Sequence, residues 1–220
     1  MNCCLCRESI SEEMAFSQLL LLSVPASSIC LTCLESFERI SDQHCPTCYK
    51  DGMEDICQDC QFWKGQEMPA QHQAIFRYNA AMKEFFSSYK FEGDYELRKV
   101  FGNSLKQQLK CYRGYTIVPV PLGPERFQKR GFNQVTGLLE AGNISYQDVL
   151  EKRDLQASSS KNRQERLNSD MAFSIKNNTS LPTKVLLFDD IYTTGTTLNR
   201  LKKLLLEAGC QEVCTFSLAR

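Results

Sequence analysis

The sequence predicts an α/β protein with a mostly parallel, doubly wound sheet and a small cysteine-rich domain before it. Strand-like and helix-like segments alternate over residues 73–220, which is typical of a parallel sheet with crossover helices. Eight cysteines form four C-x-x-C pairs within the first sixty residues. The chain has 220 residues and is 42% apolar, which suffices for one large and one small core.

The individual elements are predicted from apolar periodicity and turn residues. Strands are expected over residues 73–78, 115–120, 148–152, 171–175, 184–188 and 212–218. Helices are expected over residues 80–91, 94–109, 133–139 and 198–208, with Asp94 as the N-cap of the second. Residues 155–169 are polar, contain three consecutive serines and are predicted to form a mobile loop.

The cysteine pairs are spaced as metal ligands, because two intervening residues let a tight turn direct both sulfurs at one tetrahedral ion. The predicted zinc ligands are Cys3, Cys6, Cys30, Cys33, Cys45, Cys48, Cys57 and Cys60. Sequential pairing gives two stacked Cys4 ribbons, and interleaved pairing gives a cross-brace. We favour the sequential arrangement, because its second module closes over only eight residues, 49–56. Four thiolates leave no open coordination position, so both zinc ions are expected to be structural, with Cys4 outside the two sites.

The cysteines and the apolar runs also bear on the compartment. Residues 18–24 are apolar but short, and they lack the basic leader and cleavage site of a signal peptide. No apolar run approaches the length of a membrane span, so the protein is not expected to be membrane-embedded. We therefore expect a cytoplasmic protein with reduced thiols.

The chain is neutral overall, but its charge is unevenly distributed. Residues 1–60 hold 3 basic and 10 acidic side chains, a formal charge of −7. The other 160 residues hold 23 basic and 16 acidic side chains, a formal charge of +7. Thiolate ligands make the small domain more negative still, so the larger domain is the better candidate for phosphate-bearing ligands.

Residues 185–198 combine an apolar strand, two adjacent acids and a threonine-glycine turn that leads into a helix. Carboxylates at the end of a parallel strand, here Asp189 and Asp190, can accept hydrogen bonds from the cis hydroxyls of a ribose and hold Mg²⁺ through water. The turn directs backbone N–H groups at an anion. A plain surface turn is the alternative, but all three features together favour a site for a phosphorylated sugar.

This segment resembles the 5-phosphoribosyl 1-pyrophosphate (PRPP) motif of type I phosphoribosyltransferases. The resemblance implies that Asp189 and Asp190 hold the ribose hydroxyls and that PRPP binds with Mg²⁺. It also implies that the 5′-phosphate lies against residues 193–197. These are Thr193, Thr194, Gly195, Thr196 and Thr197.

A second anion site is predicted where another strand ends, at residues 118–123, with basic residues soon after it. Pyrophosphate would need backbone N–H groups and cations near the phosphate-binding turn. Its candidate ligands are Pro121, Leu122, Arg130 and Arg166. Arg166 belongs to the basic segment 161–166, which occupies the place of the flexible active-site loop in these folds. A solvated loop is the alternative for that segment.

The whole chain resembles the ComF competence family, of the ComFC type. The resemblance rests on the four C-x-x-C pairs, the Lys-Phe-Glu-Gly-Asp stretch 90–94, the Pro-Val-Pro-Leu turn 119–122, the Lys-Arg-Gly-Phe-Asn-Gln run 129–134 and the PRPP motif. It implies a double zinc ribbon (1–62), a connector (63–72) and a phosphoribosyltransferase-like domain (73–220) whose hood is residues 73–112. It also implies a role in natural transformation, with single-stranded DNA and a helicase as partners and a peripheral position at the DNA-uptake machinery.

Three functions are compatible with these features. The first, which we favour, is a competence protein that assists DNA uptake through a pocket for PRPP or another phosphate ligand. The second is an active phosphoribosyltransferase, whose reaction needs positioning and charge stabilisation more than a nucleophile. The third is a zinc-ribbon adaptor that docks a helicase. The chain contains no Walker A pattern, which argues against ATP hydrolysis by a P-loop.

Overall fold

The computed structural model describes residues 2–10, 29–152 and 173–220. Six strands lie in these ranges: β1 (His72–Phe76), β2 (Thr116–Pro119), β3 (Leu150–Lys152), β4 (Phe173–Ile175), β5 (Lys184–Ile191) and β6 (Glu212–Ala219). Four of them form a parallel sheet in the order β1-β6-β5-β2. The short strands β3 and β4 pair with each other in antiparallel fashion.

The helices of the described residues are α1 (Leu31–Glu35), α2 (Gln58–Gly65), α3 (Ala80–Ser87), α4 (Gly102–Leu109), α5 (Pro124–Arg130), α6 (Gln134–Ala141) and α7 (Thr196–Glu207). A π-helical turn, Ser88–Glu92, continues α3. Two 3-10 segments, Tyr95–Phe101 and Lys110–Tyr112, flank α4. Helix α6 begins after Asn133, whose side chain accepts a hydrogen bond from the Val135 N–H.

The predicted helix over 94–109 is wrong in its first half, which is a 3-10 segment. Asp94 does not cap it, because no N–H of the segment bonds to its side chain. Its carboxylate instead lies 3.3 Å from the guanidinium of Arg7. The predicted strand 184–188 is too short, because β6 continues to pair with β5 as far as Ile191 opposite Ala219. Asp189 and Asp190 therefore lie within the strand.

Both faces of the sheet are covered. On β5, Leu186 and Phe188 contribute to one buried cluster, together with apolar residues of α3, α4 and α6. Val185 and Leu187 contribute to a second buried cluster on the other face, together with apolar residues of α7. This alternation follows from the two-residue period of a strand. The predicted parallel, doubly wound α/β fold is thereby confirmed.

The cysteine-rich region packs against the β1 edge of the sheet. The Ile40 N–H donates to the Ile75 carbonyl (3.1 Å), and the His72 N–H donates to the Thr47 carbonyl (3.0 Å). Helix α2 runs through residue 62, where the sequence predicts the end of the small domain. The domain division stays a prediction. Within the described ranges, no helix is both long and apolar enough to cross a bilayer.

Candidate functional site

The carboxyl ends of β2 and β5 meet at one edge of the sheet. Pro119 is paired with Phe188, and the Val120 N–H donates to the Phe188 carbonyl at 2.9 Å. Two of the predicted pyrophosphate residues, Pro121 and Leu122, therefore line the same cavity as Asp189 and Asp190. The cavity measures about 900 Å³ and opens where ligands bind in parallel α/β sheets.

The two acids differ in their surroundings. Burial, and next the charge of Asp190, raises the pKa of Asp189 well above its usual range. The Asp190 N–H donates to Asp189 Oδ1 at 2.8 Å. Asp190 Oδ2 lies 2.5 Å from the ammonium of Lys90, as an ion pair that lacks the direction of a hydrogen bond. The Asp190 carboxylate is thus balanced by the Lys90 ammonium.

Lys90 belongs to the π-helical turn and is itself largely buried, with 14% of its side chain exposed. Its ammonium also lies 4.4 Å from the centre of the Phe86 ring. Sequence reasoning assigned Lys90 no role in the site, although it lies in the Lys-Phe-Glu-Gly-Asp stretch that carries the family resemblance. The sequence signal that could have identified Lys90 was its position as a basic residue among aromatic residues in the predicted helix 80–91.

Residues 193–197 cover the turn after β5 and the first residues of α7, and we call them the phosphate loop after the ligand that the sequence predicts for them. Gly195 has a φ of +80°, and an added Cβ would lie 2.6 Å from Cζ of Tyr192, so only glycine fits there. The hydroxyls of Thr194 and Thr196 are 3.0 Å apart. Residues 191–198 and Asp189 line a small cavity of about 50 Å³. Asp189 and Thr197 line both cavities, so the acids and the loop border two adjacent cavities.

Basic side chains surround the larger cavity. Arg126, Lys129 and Arg130 come from α5, and Lys152 comes from β3. Arg130 donates from Nε to the Lys90 carbonyl at 3.0 Å, and from Nη1 to the Gln134 amide oxygen. Arg130 is thus tied to the same turn as Lys90, whereas Arg126 and Lys129 are exposed.

The predicted ligand Arg166 lies outside the described residues, as do Lys161 and Arg163. Their proposed role over the pyrophosphate stays a prediction.

The eight paired cysteines converge in two groups. The first Cys4 group is Cys3, Cys6, Cys30 and Cys33, and the second Cys4 group is Cys45, Cys48, Cys57 and Cys60. Within each group the four sulfurs lie within 4.8 Å of one another. None of the described cysteines is in a disulfide. The sequential pairing is confirmed, Cys4 belongs to neither group, and four converging sulfurs are compatible with structural zinc.

Sequence reasoning also missed two residues behind the phosphate loop, Trp63 and Arg220. Trp63 donates from Nε1 to the Thr194 carbonyl at 2.7 Å. Arg220 donates from Nη1 to the Thr193 carbonyl. The one tryptophan of the chain lay in a segment interpreted as a connector, and its presence there was the only sequence signal.

Among solved structures, the chain is similar to a hypoxanthine phosphoribosyltransferase from Staphylococcus aureus, with 22% identity and a TM-score of 0.34, over 57% of this chain and 65% of that one. It is also similar to a glutamine phosphoribosylpyrophosphate amidotransferase from Bacillus subtilis, with 24% identity and a TM-score of 0.37, over 55% of this chain and 26% of that one. It spans less than two thirds of either enzyme's chain. At these TM-scores neither alignment adds to what the sheet topology shows.

Two relatives match the chain over nearly its full length. It is 52% identical to "Competence protein ComFC" of Streptococcus pneumoniae, over 100% of both chains. It is 33% identical to "Competence protein ComFC" of Bacillus subtilis, over 99% of this chain and 94% of that one. No family model matches the chain. These full-length identities confirm the resemblance predicted from the motifs, and the chain belongs to the ComFC family of competence proteins.

Proposed function

We propose that the protein acts in natural transformation, where it handles incoming single-stranded DNA through a pocket that binds PRPP, or a related phosphate ligand, together with Mg²⁺. The observation that carries the proposal is a pair of adjacent cavities at the sheet edge. The larger is lined by the paired acids of β5 and by cations, and the smaller is lined by the phosphate loop. The relatives named as competence proteins support the biological role.

Each part of PRPP has a chemical counterpart around these two cavities. Asp189 and Asp190 would accept hydrogen bonds from the ribose hydroxyls, and water-bound Mg²⁺ would add positive charge near them. The phosphate loop would bind the 5′-phosphate through backbone N–H groups and threonine hydroxyls. The pyrophosphate would lie against Pro121, Leu122 and Arg130, with Arg166 as the further ligand. Two zinc ions, one in each Cys4 group, would be structural.

The surface around the cavity supports contact with single-stranded DNA. Arg126 and Lys129 are exposed cations on α5, and two large aromatic side chains are exposed nearby. Phe91 is 76% exposed at the cavity mouth, and Phe127 is 51% exposed on α5. Cations that track phosphates, and aromatic rings on which bases stack, are the usual parts of a single-strand binding surface. A helicase partner rests on the family resemblance alone.

Calorimetric titration with PRPP and Mg²⁺ tests the pocket. Replacing Asp190 with alanine removes charge-assisted hydrogen bonds worth about 1.5–3 kcal/mol, so Asp190→Ala should weaken binding at least tenfold. Asp148→Ala is the matched control, because Asp148 pairs with Lys176 at the surface and is absent from the cavity lining. Equal affinity in the wild type and Asp190→Ala would contradict the assignment.

Fluorescence anisotropy with a labelled single-stranded oligonucleotide tests the DNA contact. Backbone contacts release counterions, so affinity should fall steeply as salt rises. Because Arg126 and Lys129 flank the pocket, saturating PRPP with Mg²⁺ should compete with the DNA. The double variant Arg126→Gln, Lys129→Gln should weaken binding and flatten the salt dependence. Binding that responds to neither salt nor PRPP would place the DNA site elsewhere.

A further inference from the structure

Arg220, which follows β6, links the second Cys4 group to the phosphate loop. Its Nη2 lies 3.2 Å from Cys48 Sγ and 3.4 Å from Asp59 Oδ2. Its Nη1 donates to the Thr193 carbonyl and, at 3.5 Å, to the Tyr192 carbonyl. Only 7% of the Arg220 side chain is exposed. The planar guanidinium therefore contacts one sulfur and one carboxylate on one side and two backbone carbonyls on the other.

Trp63 makes a parallel connection from α2. This helix starts after Cys57 and contains Cys60, so two ligands of the second Cys4 group set its position. Trp63 Nε1 donates to the Thr194 carbonyl at 2.7 Å. Three consecutive carbonyls, those of residues 192–194, are thus bonded to donors anchored at this group.

The direction of these carbonyls has a consequence for the pocket. A trans peptide is planar, and its C=O and N–H point in opposite directions. Carbonyls turned toward the second Cys4 group leave the N–H groups of Thr193, Thr194 and Gly195 pointing the other way. Among the described residues, no backbone carbonyl accepts a hydrogen bond from these three N–H groups. These three residues are among those that line the small cavity of about 50 Å³.

We propose that the second Cys4 group positions the phosphate loop, with Arg220 and Trp63 as the positioning residues. By holding the carbonyls of residues 192–194 on one side, these residues present the following N–H groups to a sugar 5′-phosphate on the other. The inference rests on the proposed function for the identity of the ligand. It adds that the cysteine-rich region is part of the ligand site's architecture and that the 5′-phosphate is the group whose binding depends on it.

The test uses two ligand fragments that separate the 5′-phosphate from the pyrophosphate. Ribose 5-phosphate and inorganic pyrophosphate are each titrated calorimetrically with Mg²⁺ into the full-length, zinc-loaded protein. Arg220→Gln and Trp63→Phe should each weaken ribose 5-phosphate at least fivefold and leave pyrophosphate within twofold of the wild type. The zinc content should remain two per chain. Arg113→Gln is the control, because Arg113 is exposed just before β2 and so lies at the amino-terminal ends of the strands, away from the site at their carboxyl ends.

A conservative variant separates positioning from simple destabilisation. Arg220→Lys keeps the charge beside Cys48 but lacks the fork that reaches both sides at once. It should retain zinc and the melting temperature while losing affinity for ribose 5-phosphate. Unchanged ribose 5-phosphate affinity in Trp63→Phe and in the folded Arg220 variants would overturn the inference. An equal loss for both ligands would overturn it too, because that would indicate general damage.

A ligand-free measurement keeps the inference distinct from the proposed function. Trp63 is the only tryptophan, so its fluorescence reports on the junction directly. In Arg220→Gln, acrylamide should quench Trp63 at least twofold more efficiently than in the wild type or Arg113→Gln, because the loop is no longer held against α2. If wild-type protein binds neither fragment, the proposed function fails. Increased quenching would then still support the connection between the second Cys4 group and the phosphate loop, and unchanged quenching would overturn it.

Discussion

The two Cys4 groups share a motif and a ligand set but differ in their place in the molecule. All four cysteines of the second group are buried, and they belong to the same apolar cluster as Val185 and Leu187 of the central strand. In the first group only Cys3 is buried, and Cys6 is exposed. Two C-x-x-C pairs therefore predict that four cysteines converge, but not which part of the molecule they pack against.

The hydrogen bonds to the sulfurs show the same difference. In the first group, Cys3 Sγ accepts backbone bonds from Leu5 and Cys30, each at 3.4 Å. The second group adds two side-chain partners, the hydroxyl of Thr47 on Cys45 (3.3 Å), from the group's own turn, and the guanidinium of Arg220 on Cys48 (3.2 Å), from 172 positions away. Arg220 thus connects the second group to a distant segment, whereas both bonds to Cys3 come from within the first group.

The largest expected effect comes from removing one cysteine from each Cys4 group in turn. Cys60→Ser and Cys6→Ser should each lower the zinc content, measured by elemental analysis, from two ions to one. Structural zinc contributes about 10–16 kcal/mol in isolated zinc-finger peptides. Because the second group lies within the core, Cys60→Ser should abolish the cooperative thermal transition and ribose 5-phosphate binding. Cys6→Ser should retain the transition and bind within twofold of the wild type. Equal damage from both would refute the comparison.

The next largest effect is expected at Lys90, which lines the larger cavity and has no contact with either Cys4 group in the described residues. Lys90 and Asp190 form a buried pair, and removing one partner of such a pair costs about 3 kcal/mol. We expect Lys90→Met to lower the free energy of unfolding by about this amount, measured by urea denaturation, with zinc unchanged. Adding Asp190→Asn should recover part of the loss, since no uncompensated charge is then buried. A double variant less stable than Lys90→Met would contradict the pairing.

Two glycines test how firmly the Tyr192 ring is held against the phosphate loop. Gly195 and Gly131 have nearly the same φ, +80° and +82°, but only at Gly195 would a Cβ meet a neighbour, the Tyr192 ring. That ring packs in the cluster of the second Cys4 group. Gly131→Ala should cost about 1 kcal/mol from backbone strain. Gly195→Ala should cost about 3 kcal/mol, because overpacking adds to the strain. Equal costs in urea denaturation would mean that Tyr192 moves aside freely.

The smallest effect is expected at Cys4, which lies beside the first group without belonging to it. Cys4→Ser should leave two zinc ions per chain and change the free energy of unfolding by less than about 0.5 kcal/mol. Elemental analysis and urea denaturation measure both quantities. A drop to one zinc ion would show that Cys4 replaces another ligand of the first group.

Local patterns in the sequence determined the features that depend on neighbours along the chain. The spacing of Cys45 and Cys48 predicts a turn with two converging sulfurs, and the run from Val185 to Thr197 predicts a strand, two acids and a glycine-containing turn. Alternation of strands and helices predicts the parallel sheet. Each depends on residues a few positions apart, whose geometry is set by strand period, helix period or turn conformation.

Tertiary packing decided the features that join distant residues. The Trp63 bond to Thr194 spans 131 positions, and the contact of Arg220 with Cys48 spans 172. The Lys90–Asp190 pair and the extension of β5 to Ile191 likewise depend on elements far apart in the chain. No periodicity encodes such contacts, because they arise only when separate elements bury their apolar faces against a common sheet. The sequence by itself thus determined the two cysteine sets and the loop, and the packing decided which Cys4 group lies behind that loop.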